Sequence, residues 1–370
     1  MKAKLQYVDI PKGIRVFAAS DLHAHGSWLK TCLDRVGFCD DDFLFLVGDY
    51  LERGPENLKT LRYVMELCEK PNVFATLGNV DIWSMSVLTL TPEEIKARID
   101  SRIPVCGSTL FSDMCEDAGL PYGTLAEIAY AKDCFQERYQ SELDFLKNLP
   151  TVIDTHYYTF VHGGIPSNDL SSLDMSDARP FLKNDTFIDQ KIYFDKWLIV
   201  GHWPTTHYRT NAVNMNPYIC WEQKIIDIDG GGGVKLDGQV NLLVIPQAGN
   251  DIFEWCSCDD FPLFQALDPQ AQSKVSTIIH YADPWLELLE RRGDLIRARC
   301  LSDGYELWLP KTNVKEEDGK ARIWGDFSDF RPEIQPGDTV SLIRKDAIGT
   351  YIKKDGICGY YDGRLEPLRA

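Results

Sequence analysis

Four short apolar runs, IRVFAAS (14–20), FLFLVGD (43–49), NVFATLGN (72–79) and YYTFVHGG (157–164), each break off into a loop of Gly, Asp, Asn or His. Buried strands that carry a site at their carboxyl ends read this way. Between the first two, GSWLKTCLDRVGF (26–38) has helical apolar spacing, and PENLKTLRYVMELCEK (55–70) fills the next gap with Pro55 at a first-turn position. The order strand, helix, strand, helix, strand predicts an α/β unit with right-handed crossovers.

From Thr91 to about Leu149 the pattern is helical, opened by Thr-Pro-Glu-Glu and closed by Pro150, and it reads as an insertion capping the site. KWLIVGHWPT (196–205), KIIDIDGGGG (224–233) and QVNLLVIP (239–246) predict further strands, with Gly230 to Gly233 as a turn. From Asp283 onward short strand-like pieces are punctuated by Asp303-Gly304, Asp318-Gly319, Pro336-Gly337, Asp355-Gly356 and Asp362-Gly363, which is all-β punctuation. A faint repeat links LELLERRGDLIRARCLSDGYELWLP (286–310) with VSLIRKDAIGTYIKKDGICGYYDG (340–363) and resembles small SH3-like barrels, one or two of them. The expected division is a catalytic domain over 1–250 with its helical insertion at about 85–150, a linker over 251–282, and a small β-rich domain over 283–370.

The net charge of −17 argues against broad affinity for nucleic acid or an anionic membrane, yet metal ions or an arginine can reverse the field inside one cleft. The N-terminal stretch lacks the apolar core of a signal peptide, and no run approaches the roughly 18 apolar residues that span a bilayer, so the expected location is the cytoplasm. The eleven cysteines are scattered and odd in number, which predicts reduced thiols rather than a disulfide framework; CSC at 256–258 lacks a second pair at zinc spacing.

Five of the seven histidines lie in SDLHAH (20–25), VHGG (161–164) and GHWPTTH (201–207), polar stretches that follow apolar runs. Asp21 and His23, one residue apart, point the same way on an extended strand end. Asp49 ends the next run, Asn79 the third, His162 follows a fourth and His202 a fifth. Alone, Asp49 reads as a turn former and Asn79 as a cap. Together the six oxygen and nitrogen donors suit two divalent cations bridged by one carboxylate.

SDLHAH, GDYLERG, GNVD, VHGG and GHWP resemble the ordered motifs of the calcineurin-like metallophosphoesterase superfamily, and most of all its phosphoprotein phosphatase branch, which holds serine/threonine phosphatases and symmetrical diadenosine tetraphosphatases. The resemblance spans about residues 14 to 246. It implies a β-sandwich flanked by helices in four αββα layers, Asp21 and His23 on a first metal, Asp49 bridging, and Asn79, His162 and His202 on a second. Manganese is the expected metal, with iron or zinc also suited. Pro204 stands where other branches place a further ligand. Arg53 matches the arginine that holds the substrate phosphate, for which a guanidinium is chemically suited. Arg179 and Arg209 are candidates for a second such arginine.

The implied chemistry is in-line attack on phosphorus by a metal-bridging hydroxide, with charge stabilised by the metals and Arg53. That branch has His as proton donor after the motif's Asn, oriented by an Asp in the preceding motif; this chain has Val80 and Glu52 there. Such an acid is commonly worth about 10² to 10⁴ in rate. His25 and His207 are alternative donors, or the substrate needs little acid. The expected function is therefore hydrolysis of a phosphomonoester or nucleotide phosphoanhydride, the substrate being a phosphorylated small molecule, nucleotide or phosphoprotein. A phosphodiesterase of cyclic or dinucleotide substrates is the alternative within enzymes. A metal-binding scaffold that meets a protein partner through the C-terminal β region is the alternative outside them.

Overall fold

A computed structural model of the chain describes residues 1–168, 170–171, 173, 176–317 and 320–368; the Asp318-Gly319 turn signal lies outside them. The chain divides into two compact units, one of Met1–Pro204, Pro217–Val234 and Gly238–Asp259, the other of Thr205–Asn216, Lys235–Asp237 and Asp260–Ala370.

The first unit is mixed α/β. In chain order it contains β1 (Leu5–Tyr7), β2 (Val16–Ala19), α1 (Gly26–Val36), β3 (Phe43–Val47), α2 (Asn57–Cys68), β4 (Val73–Thr76) and α3 (Asn79–Met85). Four more helices follow, α4 (Pro92–Cys106), α5 (Leu110–Ala118), α6 (Leu125–Arg138) and α7 (Gln140–Asn148). The rest comprises β5 (Val152–Asp154), β6 (Tyr158–Val161), α8 (Arg179–Leu182), β7 (Trp197–Val200), β8 (Tyr218–Cys220), β9 (Ile225–Asp227), β10 (Val240–Ile245) and β11 (Glu254–Cys258).

β2, β3 and β4 pair in parallel, Val16 opposite Phe43 and Leu44 opposite Val73. Every residue of β2 and β3 is buried, which is why these strands read as continuous apolar runs. Antiparallel β10 and then β11 extend this sheet, in the order β11-β10-β2-β3-β4. A second sheet runs β1-β5-β6-β7-β9-β8. The two share one core, in which Phe45 of β3 stacks on Phe160 of β6 at 3.9 Å between ring centroids, among Ile199, Ile226 and Leu243. The helix start expected at Thr91 is present: its hydroxyl accepts from Glu94 N–H at 3.2 Å, and Glu94 Oε2 accepts from Thr91 N–H at 2.8 Å. No helix among the described residues is long and apolar enough to cross a membrane.

The second unit is all-β. Its strands are β12 (Leu263–Ala266), β13 (Ile278–Ile279), β14 (Trp285–Arg292), β15 (Leu295–Cys300), β16 (Glu306–Pro310), β17 (Val314–Glu317) and β18 (Lys320–Ile323), then β19 (Phe327–Ser328), β20 (Thr339–Lys345), β21 (Thr350–Lys354), β22 (Ile357–Tyr361) and β23 (Leu365–Pro367). They form two five-stranded antiparallel sheets, β16-β15-β14-β18-β17 and β22-β21-β20-β12-β23, beside a β13–β19 pair. The faint repeat is a repeated meander: β14-β15-β16 and β20-β21-β22 each carry a register shift in the first hairpin, at Leu288/Glu290 and Leu342/Arg344.

Three sequence expectations need correction. Residues 251–282, expected as a linker, contribute strands to sheets: β11 pairs with β10, and β12 lies between β20 and β23, because their backbones complete hydrogen-bond ladders. α2 begins at Asn57, not Pro55; the Asn57 side chain accepts from Glu52 N–H at 2.6 Å and donates to Ser108 Oγ at 3.0 Å, which fixes the entry. The loop expected after β4 is a helix, α3, nucleated where Asp81 accepts from Gly78 N–H at 3.0 Å.

Candidate metal centre

Each polar side chain of interest stands just beyond a strand: Asp21 and His23 after β2, Asp49 after β3, Asn79 at the start of α3, His162 after β6 and His202 after β7. The backbone that aims them is strained. Asp21, His23, Ala24, Asp49, Glu52, Arg53 and His202 all have positive φ, between 43° and 76°. Such left-handed non-glycine residues cost on the order of 1–3 kcal/mol each and cluster where a side chain must be aimed. Close approach adds a second constraint. A Cβ on Gly78 would lie 2.2 Å from Asp49 N and Oδ1, and one on Gly201 would lie 2.3 Å from Asp21 Oδ2.

Two donor groups form and share Asp49. Asp21, His23 and Asp49 are one, and Asp49, His162 and His202 the other, each with donor atoms within 4.8 Å of one another. His23 Nε2 stands 3.7 Å from Asp21 Oδ1 and 3.9 Å from Asp49 Oδ2; His162 Nε2 is 3.3 Å from the same Asp49 oxygen. The far nitrogen of each ring is held by an oxygen, His23 Nδ1 by Leu51 O (3.1 Å), His162 Nδ1 by Val47 O (2.8 Å) and His202 Nε2 by Asp185 Oδ1 (2.7 Å). Partners of this kind fix the tautomer and turn the other nitrogen's lone pair inward. Asp49 divides its oxygens: Oδ1 accepts from Val80 N–H at 2.8 Å, and Oδ2 faces the histidines. The inner end of the Asn79 amide lies 2.8 Å from His202 Nδ1, 3.3 Å from His162 Nε2 and 3.1 Å from Leu182 O. With its oxygen inward, acceptors face one another there, an arrangement that a cation resolves.

Burial drives His23 and His202 down to about 4, against the carboxylates nearby, so both rings are neutral at pH 7 with lone pairs to give. His162 goes the other way: burial lowers it, but Asp49 and Asp21 raise it to about 10. Asp21 is pushed up to about 7 by burial, and Asp49 is held below the usual carboxylate range, burial being outweighed by His162 and His23. Asp21 and His162 thus hold protons where positive charge would otherwise stand. Divalent cations would displace those protons, and the oxygen and imidazole donors suit manganese, iron or zinc.

The residues after Asp49 and Asn79 serve structure. Val80 is buried and contributes its N–H to Asp49. Glu52 turns away to accept Leu110 N–H at 3.2 Å at the start of α5; burial raises its pKa, opposed by Leu110 N–H and by Arg102 and Arg98. Asp81, fully buried, accepts from Asp49 N–H (2.8 Å), Tyr50 N–H (2.9 Å) and Gly78 N–H (3.0 Å), so one carboxylate pins both the loop after β3 and the start of α3.

Sequence reasoning missed Asp185, Leu182 O, Asp227 and Asp229. The last two are buried; Asp229 accepts from Gly231 N–H at 2.7 Å, and Asp227 Oδ1 accepts from Asp229 N–H at 2.9 Å. Burial raises both, helped by Asp229 acting on Asp227 and by Asp21 acting on Asp229. The signal was available: DID at 227–229 repeats the one-residue spacing of Asp21 and His23 at a strand end.

Arg53 is half-buried, and its charge helps to lower His23. His25 stacks on Trp28 at 4.0 Å with Nδ1 3.2 Å from Leu22 O. Arg179 is exposed on α8. His207 belongs to the second unit, where Lys235 Nζ donates to its Nε2 at 2.9 Å and also pairs with Asp326 Oδ2 at 2.5 Å. His280 joins this cluster, and Arg209, in the same unit, gives its carbonyl to His280 Nε2 at 2.8 Å.

A family model described as calcineurin-like phosphoesterase matches residues 14–230. The symmetrical bis(5'-nucleosyl)-tetraphosphatase of Wigglesworthia glossinidia brevipalpis is 37% identical over 67 residues, 18% of this chain and 24% of that protein. Its counterpart in Pseudomonas fluorescens is 45% identical over 67 residues, 18% of this chain and 23% of that protein. The chain thus spans about a quarter of the length of these curated relatives. A protein serine/threonine phosphatase from Saccharomyces cerevisiae aligns over 70% of this chain and 86% of its own, with a TM-score of 0.42 and 11% identity. A cold-active protein-tyrosine phosphatase of a psychrophilic Shewanella aligns over 69% and 83%, with a TM-score of 0.41 and 16% identity. With its matched region running from the start of the first sheet through the glycine turn after β9, the chain belongs to the calcineurin-like phosphoesterase family.

Proposed function

We propose that this chain is a phosphoesterase with two divalent cations, held by Asp21, His23 and Asp49 on one side and by Asp49, Asn79, His162 and His202 on the other. The observation that carries this is the pair of donor groups meeting at Asp49, whose Oδ1 is fixed by Val80 N–H while Oδ2 faces His23 and His162. When bound, the cations supply an ionised water near neutral pH and neutralise charge on the phosphoryl oxygens. Arg53 binds and orients the phosphate, and the oxygen-held imidazoles keep their inward nitrogens unprotonated. The two sheets with their helices read as the four αββα layers of the family, and the C-terminal sheets as SH3-like barrels.

Among substrates, a nucleotide phosphoanhydride fits best. The two positions where a proton donor and its partner are expected hold a buried valine and a glutamate spent on α5, so a leaving group that departs without a proton is favoured. The tetraphosphatase names of the curated relatives point the same way. A diester of a good leaving group is the second reading, favoured by the same two residues.

Metal analysis of the purified chain, followed by assays of an aryl phosphate, a bis-aryl diester and a dinucleoside polyphosphate with added manganese, tests the reading. Turnover of the anhydride is expected, with two cations per chain. Preference for the diester would select the second reading, and a fully loaded protein that turns over none would be a scaffold. Asp49→Asn is expected to lose both cations and activity together; retained stoichiometry would remove Asp49 from its bridging place.

A further inference from the structure

Three thiols meet between α1 and the edge strand β11. Cys32 is fully buried on α1, while Cys256 and Cys258 flank Ser257 on β11 and so project to one side of the strand. Arg35, three residues beyond Cys32, donates from a terminal guanidinium nitrogen to Ser257 O at 2.9 Å, which fixes this part of the helix against this part of the strand. Cys32 lies near enough to both strand thiols for the three to influence one another's charge. Cys258 is buried and its thiol donates to Asp259 O at 3.6 Å; Cys256 is half-buried and lies beside Arg35.

We propose that Cys256 and Cys32 form a reversible dithiol–disulfide site, with Cys256 the attacking thiolate, Cys32 the resolving thiol and a small-molecule disulfide such as oxidised glutathione the oxidant. The Cys32 thiol draws Cys256 down to about 6, burial opposing and Arg35 assisting, whereas Cys32 is driven up by the two strand thiols and by burial and keeps its proton. Nucleophile and resolver are therefore distinguished by their surroundings.

The step balances. Cys256 sulfur bonds to one sulfur of the oxidant and the other leaves as thiolate, which takes the Cys32 proton. Cys32 sulfur then displaces the second small thiolate from Cys256. Two protein thiols are oxidised to one disulfide, and one disulfide is reduced to two thiols. The new bond joins α1, which begins directly after His25, to β11 at the edge of the sheet that delivers Asp21.

The test uses the full, metal-loaded chain incubated with oxidised glutathione, quenched with iodoacetamide in denaturant and mapped by mass spectrometry. A Cys32–Cys256 crosslink reversed by dithiothreitol is expected. Cys32→Ala should trap glutathione on Cys256. Arg35→Gln, checked for an unchanged circular dichroism spectrum, should slow Cys256 alkylation at pH 7 by roughly threefold to tenfold. Glutathione retained on wild-type Cys256 beside an alkylated Cys32, a crosslink to Cys258 instead, or Cys256 alkylation no faster than that of exposed Cys39 would each overturn the assignment.

Discussion

Asp49 and Asp81 show how two carboxylates of one type are given different work. Asp81 spends both oxygens on main-chain N–H groups, while Asp49 spends one and turns the other inward. Val80 between Asn79 and Asp81 therefore lends its main chain, N–H to Asp49 and carbonyl to Ser84 Oγ, and its bulk, and the side chain is open to replacement. Val80→His is expected to raise turnover of an alkyl phosphate relative to an aryl phosphate by about tenfold to a hundredfold without changing metal content. Kinetics on the matched pair checks this, and an unchanged ratio would mean that the leaving group finds its proton elsewhere. That Asp21, His23, Asp49, Asn79, His162 and His202 stand at strand ends could be read from the sequence, since each follows an apolar run. What could not be read was the wiring behind them. Asp81 grips N–H groups more than thirty residues away, and Asp185 lies between motifs, so neither leaves a local pattern.

Among the elements, the parallel strands and their helices were legible because period and burial agree over β2 to β4. α3 was not, being seven residues long and started by a side chain–backbone contact rather than by a cap in the sequence. The start of α5 depends on Glu52, whose carboxylate meets Leu110 N–H. Burial raises its pKa above the unfolded value, so folding takes up a proton. Its contribution is fully present below about pH 4.5 and is lost as pH rises through the raised folded value. Glu52→Gln keeps the acceptor and removes the titration. Its thermal midpoint should equal or fall slightly below the wild type's at pH 4.5 and gain on it toward pH 8. A pH-independent difference between the two proteins would mean that Glu52 does not titrate across folding.

At the scale of the molecule, the chain does not finish one unit before starting the next. Val213 and Met215, from a stretch between β7 and β8, are fully buried in the core of the all-β unit. Met215 N–H donates to Gly356 O at 2.9 Å, and Cys358 N–H to Val213 O at 2.8 Å. The sequence hid this because a tail of turns and short strands looks self-contained, and nothing in residues 205–216 announces a partner so far along. A chain ending at Asp259 should lose the burial of those two side chains, about 1.5–3 kcal/mol each, and bind a hydrophobic dye. Thermal unfolding with dye fluorescence checks this; a truncated chain as stable and as dye-silent as the whole would show that the segment packs equally well without its tail.

The same threading sets an order of events during synthesis. Residues 213–215 leave the ribosome with their hydrogen-bonding partners more than 140 residues from being made, and the strands that receive them include β22. Until then Val213 and Met215 lie uncovered, and the rate of burying them is a matter of long-range closure rather than of local helix and strand formation.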